Sequence, residues 1–274
     1  MKEFTMEPTS VNVETWFPAG RKHISEYYNN EFKNNVQYIP KYLEDMSKIS
    51  EFGFALVEPV KTTTFKKEFL RRKNEHMIHK PYDIPKTCLD IKTYDPLNEL
   101  LENEQIAGLY FALNNIRDIG WILAFDIDAK MIAQTKKCPY HDTSEQAMYL
   151  PPMDTNPKTY PYCFNCIQIA LNQAFEIKDI LSDEWGFDKQ SINIIYSGQG
   201  AHVHVTDPYA CSFSKEPREF IQEILTKRYD ICLDPTVTSD ARRVLRVPGS
   251  LNSRVNQPVK EIKTGNLQTI LENK

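Results

Sequence analysis

The segment Trp121-Ile-Leu-Ala-Phe-Asp-Ile-Asp128 constrains this chain more than any other. Its apolar part, Trp121 to Phe125, is short, rich in β-formers, and reads as a strand buried on both faces. Side chains alternate along a strand, so Asp126 and Asp128 leave from the same face, roughly 6–7 Å apart at the backbone. Two carboxylates that close repel each other. A hard divalent cation between them, Mg²⁺ or Mn²⁺, is the natural relief. A strand tip running out into solvent is the plainer reading of such a pair taken alone, so the rest of the chain must decide.

Length and composition bound the answer. With 274 residues, 41% hydrophobic and 26% charged, the chain can bury a proper core as one large domain or two small ones. No repeat, low-complexity tract or linker divides it, which favours a single domain over 1–274. It holds no apolar run of membrane-spanning length, and Met1-Lys-Glu-Phe-Thr-Met lacks a signal-peptide core. A cytoplasmic protein without a membrane partner is expected. The formal net charge of −4 excludes a bulk polycation, so any nucleic-acid binding must use a local basic patch and be sensitive to salt.

Of the six cysteines, three stand in one short segment with a histidine. Cys138-Pro-Tyr-His141 offers two ligands from one tight turn, and Cys163-Phe-Asn-Cys166 offers two more. Three thiolates and one imidazole suit tetrahedral Zn²⁺, whereas an intracellular setting disfavours disulfides. The Pro-rich loop between the knuckles needs such an anchor to fold. A closed, four-coordinate structural zinc site is therefore expected in an insertion at about 136–168.

Elsewhere the chain reads as mixed α/β. Helical patterns run around His23 to Asn34 and Tyr38 to Met46, and Glu51 to Glu58 alternates as a strand. Thr64 is placed to cap a helix from Phe65 to Lys73, whose Lys66, Lys67, Arg71, Arg72 and Lys73 form either a solvated face or a template-backbone contact. Ile106 to Leu113 reads as a strand that a hairpin could join to the Asp126 strand. Ile167 to Leu181 and Ser214 to Tyr229 have helical periodicity. Ser191 to Ser197 and Ala201 to Thr206 read as strands around Ser197-Gly-Gln-Gly200, a turn whose glycines let backbone N–H groups approach an anion. Such a turn alone is more often a plain hairpin. His202 and His204 share one face of the strand that follows it. Further on come Asp234 and three arginines. Arg242 and Arg243 read as surface cations, but Arg246 between Leu245 and Val247 needs an anionic partner: Asp126, Asp128, Asp234 or a ligand phosphate.

In this order the elements resemble the catalytic small subunit of archaeal and eukaryotic DNA primase, within the archaeo-eukaryotic primase superfamily. The resemblance rests on D-I-D, the Cys/His insertion, S-G-x-G-x-H, and L-D-x-x-V-T-x-D followed by R-R-V-L-R-V-P-G-S-L, and it spans roughly residues 50–252. Glu51-Phe-Gly-Phe54 resembles a strand near the start of those subunits. The family implies a primase-polymerase catalytic core of mixed sheets flanked by helices, with a small zinc-binding insertion. It implies template-directed synthesis of short RNA or DNA primers from nucleoside triphosphates on single-stranded DNA, beside a large regulatory subunit.

By that resemblance Asp126, Asp128 and Asp234 hold two Mg²⁺ or Mn²⁺ ions and are catalytic. Ser197, Gly198, Gln199, Gly200, His202 and Arg246 contact the triphosphate, Lys61 stands in for a nucleotide-contacting arginine, and Cys138, His141, Cys163 and Cys166 bind zinc. The chain departs from the pattern in its turn, which is one residue short and lacks an arginine, as in mobile-element primase-polymerases. It also has Asn252 where histidine is frequent. A mobile-element primase-polymerase or gap-filling polymerase, a metal-dependent nuclease and a catalytically idle nucleic-acid-binding subunit are the competing readings.

Overall fold

The computed structural model describes residues 26–32, 36–44, 48–49, 51–56, 69–73, 106–114, 116–135, 138, 164–252, 255 and 257–272. These residues build two antiparallel four-stranded sheets with helices, a mixed α/β architecture. Among the described residues no helix is long and apolar enough to cross a membrane.

The first sheet contains β1 (Glu51–Leu56), β2 (Phe69–Lys73), β3 (Ile106–Ala112) and β7 (Val244–Arg246), in the order β2-β1-β3-β7. The second contains β4 (Leu123–Asp128), β5 (Ile192–Tyr196), β6 (Gly200–Val205) and β10 (Lys260–Ile262), in the order β10-β5-β6-β4. A short hairpin joins β8 (Leu251–Asn252) to β9 (Gln257–Pro258).

Two expectations need correction. The helix expected to end at Lys73 is replaced over Phe69–Lys73 by a strand paired with β1; partnership with a neighbouring strand overrides local helical preference here. β3 and β4 do not form a hairpin. They belong to different sheets, because the connection through Ile116 and Gly120 closes its own small bridge and redirects the chain.

The strand order places β4 at the edge of its sheet, and its alternation divides two cores. Leu123, Phe125 and Ile127 enter a core covered by α2 (Phe164–Asp179), whose Cys166, Ile167, Ala170, Leu171, Ala174 and Ile177 form one apolar stripe. Ile122 and Ala124 join a second core with Leu109 and Phe111 of β3, Leu245 of β7 and the short N-terminal turns around Tyr27, Tyr28 and Phe32. The helix α1 (Ala129–Gln134) starts directly from β4, with the Asp128 carboxylate accepting from the Lys130 N–H at 3.1 Å as its N-cap. Next come α3 (Pro208–Cys211) and α4 (Lys215–Arg228), and α5 (Leu267–Glu272) lies near the end of the chain.

Arg218 on α4 is fully buried. Its guanidinium donates to the carbonyls of Trp121 at 2.6 Å, Ile122 at 3.0 Å, Phe213 at 3.1 Å and Ala210 at 3.4 Å. It also stacks 3.8 Å from the Trp121 ring centroid. One side chain thus ties α4 to the residues leading into β4.

Candidate active site

The register of β4 against β6 sets Asp126 opposite His202 and Asp128 opposite Gly200. Because the odd-numbered residues of β4 fill the helix-covered core, both carboxylates lie on the face toward the first sheet. His202 Nε2 stands 3.6 Å from Asp126 Oδ1. Burial first, then His204 and Arg246, hold the His202 imidazole well below its usual pKa, so the ring is neutral and this contact is not an ion pair.

Asp234 arrives from a loop rather than a strand. Its N–H donates to the Asp126 carbonyl at 2.9 Å, which fixes the two residues side by side. Its Oδ1 accepts from the Thr236 N–H at 2.8 Å and the Thr236 hydroxyl at 2.6 Å. The loop is anchored from α2, where Gln173 Oε1 accepts from the Cys232 N–H at 3.0 Å.

Asp128 and Asp234 both act on Asp126. Asp126 keeps 22% of its side-chain surface. Its carboxyl is nonetheless held well above the usual aspartate range, by burial first, then by Asp128 and Asp234, against the opposing pull of Arg246 and Arg243. Negative charge here exceeds what the nearby cations offset. These are hard oxygen donors of the kind that suits Mg²⁺ or Mn²⁺, although among the described residues no three such side chains are gathered closely enough to hold a metal ion as they stand.

The turn from Ser197 to Gly200 runs beside this cluster. Gly198 has φ +90°, a conformation that side chains rarely adopt. At Gly200 an added Cβ would meet the Ile127 carbonyl at 2.1 Å, so only glycine lets β6 lie this close to β4. Arg246 comes from the first sheet, paired with Tyr110 across β3 and β7, its guanidinium carbon 4.9 Å from the Tyr110 ring centroid. Its Nε is buried without a hydrogen-bond partner. The charge acts on both Asp126 and His202, so Arg246 belongs to the same cluster.

No family model matches the chain. The DNA primase small subunit PriS of Methanocaldococcus jannaschii is 24% identical over 265 residues, 94% of this chain and 65% of that protein. The corresponding PriS of Sulfurisphaera tokodaii is 30% identical over 175 residues, 53% of each chain. The chain is a relative of archaeal DNA primase small subunits. An uncharacterized DNA primase small subunit-like protein of Archaeoglobus fulgidus is 29% identical over 140 residues, 51% of this chain and 44% of that one. The chain thus spans about half to two thirds of the length of these primase relatives.

Of the remaining residues singled out in the sequence, Lys61, His141 and Cys163 lie outside the described residues. Cys138 and Cys166 are both buried, and both belong to the core beneath β4.

Sequence reasoning gave no role to three participants. Arg243, read as a surface cation, donates through Nε to the Thr236 carbonyl at 3.3 Å and through a terminal nitrogen to the Thr236 hydroxyl, the group that also holds Asp234. His204 is fully buried, stacks on His202 with centroids 5.7 Å apart, and bonds through Nδ1 to the Tyr42 hydroxyl. Burial pushes its pKa down to about 3. The alternation along β6 had placed His204 on the face of His202 without giving it a partner; Tyr42 and Arg243 had no such signal.

Proposed function

We propose that this chain is the catalytic small subunit of a DNA primase, or the portion of one carrying its active site. It would synthesise short RNA or DNA primers from nucleoside triphosphates on a single-stranded DNA template. The observation that carries this reading is the placement of Asp126 and Asp128 on one strand face, with Asp234 held beside Asp126 from a loop and His202 and Arg246 bordering them.

Asp126, Asp128 and Asp234 would hold two divalent cations, Mg²⁺ or Mn²⁺, which when bound acidify the attacking 3′-hydroxyl and neutralise the triphosphate. His202 and Arg246 donate to phosphate oxygens and stabilise the charge that passes to the leaving pyrophosphate. Lys61, by family likeness, adds a further cation. Arg243 keeps Thr236 against Asp234 and so fixes the carboxylate that lacks a strand to hold it. No protein nucleophile is required.

Cys138, His141, Cys163 and Cys166 would bind one structural zinc ion. The burial of Cys138 and Cys166 in one core supports this reading. A large regulatory subunit is the expected protein partner, on family likeness alone.

The test is nucleotide incorporation on unprimed and primed single-stranded DNA with Mg²⁺ or Mn²⁺, beside Asp126→Ala. Short products on unprimed template, absent in the variant, support a primase. Extension of primed template alone points to a gap-filling polymerase. Template degradation would overturn the reading in favour of a nuclease, and inactivity with intact nucleotide binding would indicate an idle subunit.

A further inference from the structure

Carbonyl oxygens are the wrong groups to turn toward a triphosphate, because like partial charges repel. In the turn between β5 and β6, all four carbonyls from Ser197 to Gly200 are already taken by donors of the protein itself. The Gly198 carbonyl accepts from the Tyr196 hydroxyl at 3.3 Å. The Gln199 carbonyl accepts from the Ala129 N–H at 2.9 Å, and the Gly200 carbonyl from the Ser197 N–H at 3.1 Å. These three donors belong to β5, to α1 and to the turn itself.

The fourth does not. The Ser197 carbonyl accepts from Asn252 Nδ2 at 2.8 Å, a buried bond between groups 55 residues apart. Asn252 is 1% exposed and stands in the β8–β9 hairpin, where its own carbonyl accepts from the Val255 N–H at 3.1 Å. The peptide it holds is the one with most freedom to turn over, because it leads into Gly198 at φ +90°. An added Cβ at Gly198 would lie 3.1 Å from Asn252 Nδ2 and 2.8 Å from a Val255 methyl carbon, so the hairpin presses directly on the turn.

We propose that Asn252 is a positioning residue for nucleotide binding, whose side-chain amide keeps the Ser197 carbonyl engaged and turned away from the triphosphate. The proposal rests on the reading of this turn as the triphosphate site. A neutral amide suits the task, since it donates firmly without adding charge beside the phosphates. Losing the donor releases the Ser197 oxygen, and the glycine that follows lets it swing toward the anion.

The experiment compares the parent protein with Asn252→Ala and the isosteric Asn252→Asp. The measurements are affinity for a non-hydrolysable nucleoside triphosphate with Mn²⁺, affinity for single-stranded DNA, and steady-state incorporation. Asn252→Ala should weaken nucleotide binding and raise KM by about tenfold, the worth of one hydrogen bond. Asn252→Asp should do more, because it sets an anion against the carbonyl. Template affinity should hold within about twofold and kcat should fall far less than KM rises, since the residue positions the turn without touching the reacting atoms. If a variant does not fold, side-chain amide exchange in the parent protein decides: the Asn252 amide protons should stay protected with nucleotide bound, and fast exchange would overturn the proposal. Variants that bind nucleotide like a nucleotide-binding parent overturn the clamp alone. A parent that binds no nucleotide overturns the site reading and the clamp together.

Discussion

Asp126 carries opposite consequences for catalysis and for stability. Asp126→Ala should lower incorporation by at least about a thousandfold, because a lost carboxylate costs a bound cation and not a single hydrogen bond. In metal-free buffer Asp126→Asn should raise stability by about 1–2 kcal/mol, the usual return from relieving a functional site of its strain. The sign follows from the raised carboxyl pKa. The folded protein holds this proton more tightly than the unfolded chain, so parent stability falls as pH climbs from the ordinary aspartate range through the raised value. Denaturation in chelator across that range should show the parent losing ground to the variant, and parallel curves would contradict it. His202→Ala and Arg246→Ala should each weaken triphosphate binding by about one to two decades while template affinity holds, as for a charge-assisted contact of roughly 1.5–3 kcal/mol. Collapse of template binding instead would move these residues to a DNA groove. The common face of Asp126 and Asp128 was legible in the sequence because alternation along a strand gives side chains a direction, whereas the roles of His202 and Arg246 rested on family resemblance. The role of Asn252 was not legible, since it depends on a contact 55 residues away.

Among the elements, β4 was the most legible, and its legibility came from its burial. Ile122 to Phe125 are all sealed from solvent, so the apolar run could only be interior. Its neighbours were harder to read. The pairing of Phe69–Lys73 with β1 and the separation of β3 from β4 into two sheets are set by partners distant in sequence, which no local pattern reports. The same holds for Arg218, a cation on an otherwise amphipathic helix. Arg218→Ala should cost about 3 kcal/mol or more, because it leaves several buried carbonyls without donors. Arg218→Lys should recover only part of this, since an ammonium cannot reproduce the fork that spans Trp121 and Ile122. Urea denaturation of both variants measures it. A loss below about 1 kcal/mol would mean that water reaches these carbonyls.

For the whole molecule, the zinc assignment is the prediction on which the insertion depends. Protein purified without added metal should contain one zinc per chain, and none would remove the assignment. Cys163→Ser should lower the melting temperature before it lowers turnover per folded molecule. The two sheets have a further consequence. Asp126, Asp128 and His202 stand on one sheet and Arg246 on the other, and the two sheets meet through the core that Ala124 shares with Leu109, Phe111 and Leu245. A nucleotide gripped from both sides is therefore a rivet across a seam. With it in place, the backbone amides of Gly200–Val205 and Val244–Arg246 should open to hydrogen exchange as one unit, whereas without it the short three-residue strand should open first. The substrate would reinforce a junction that otherwise rests on apolar packing.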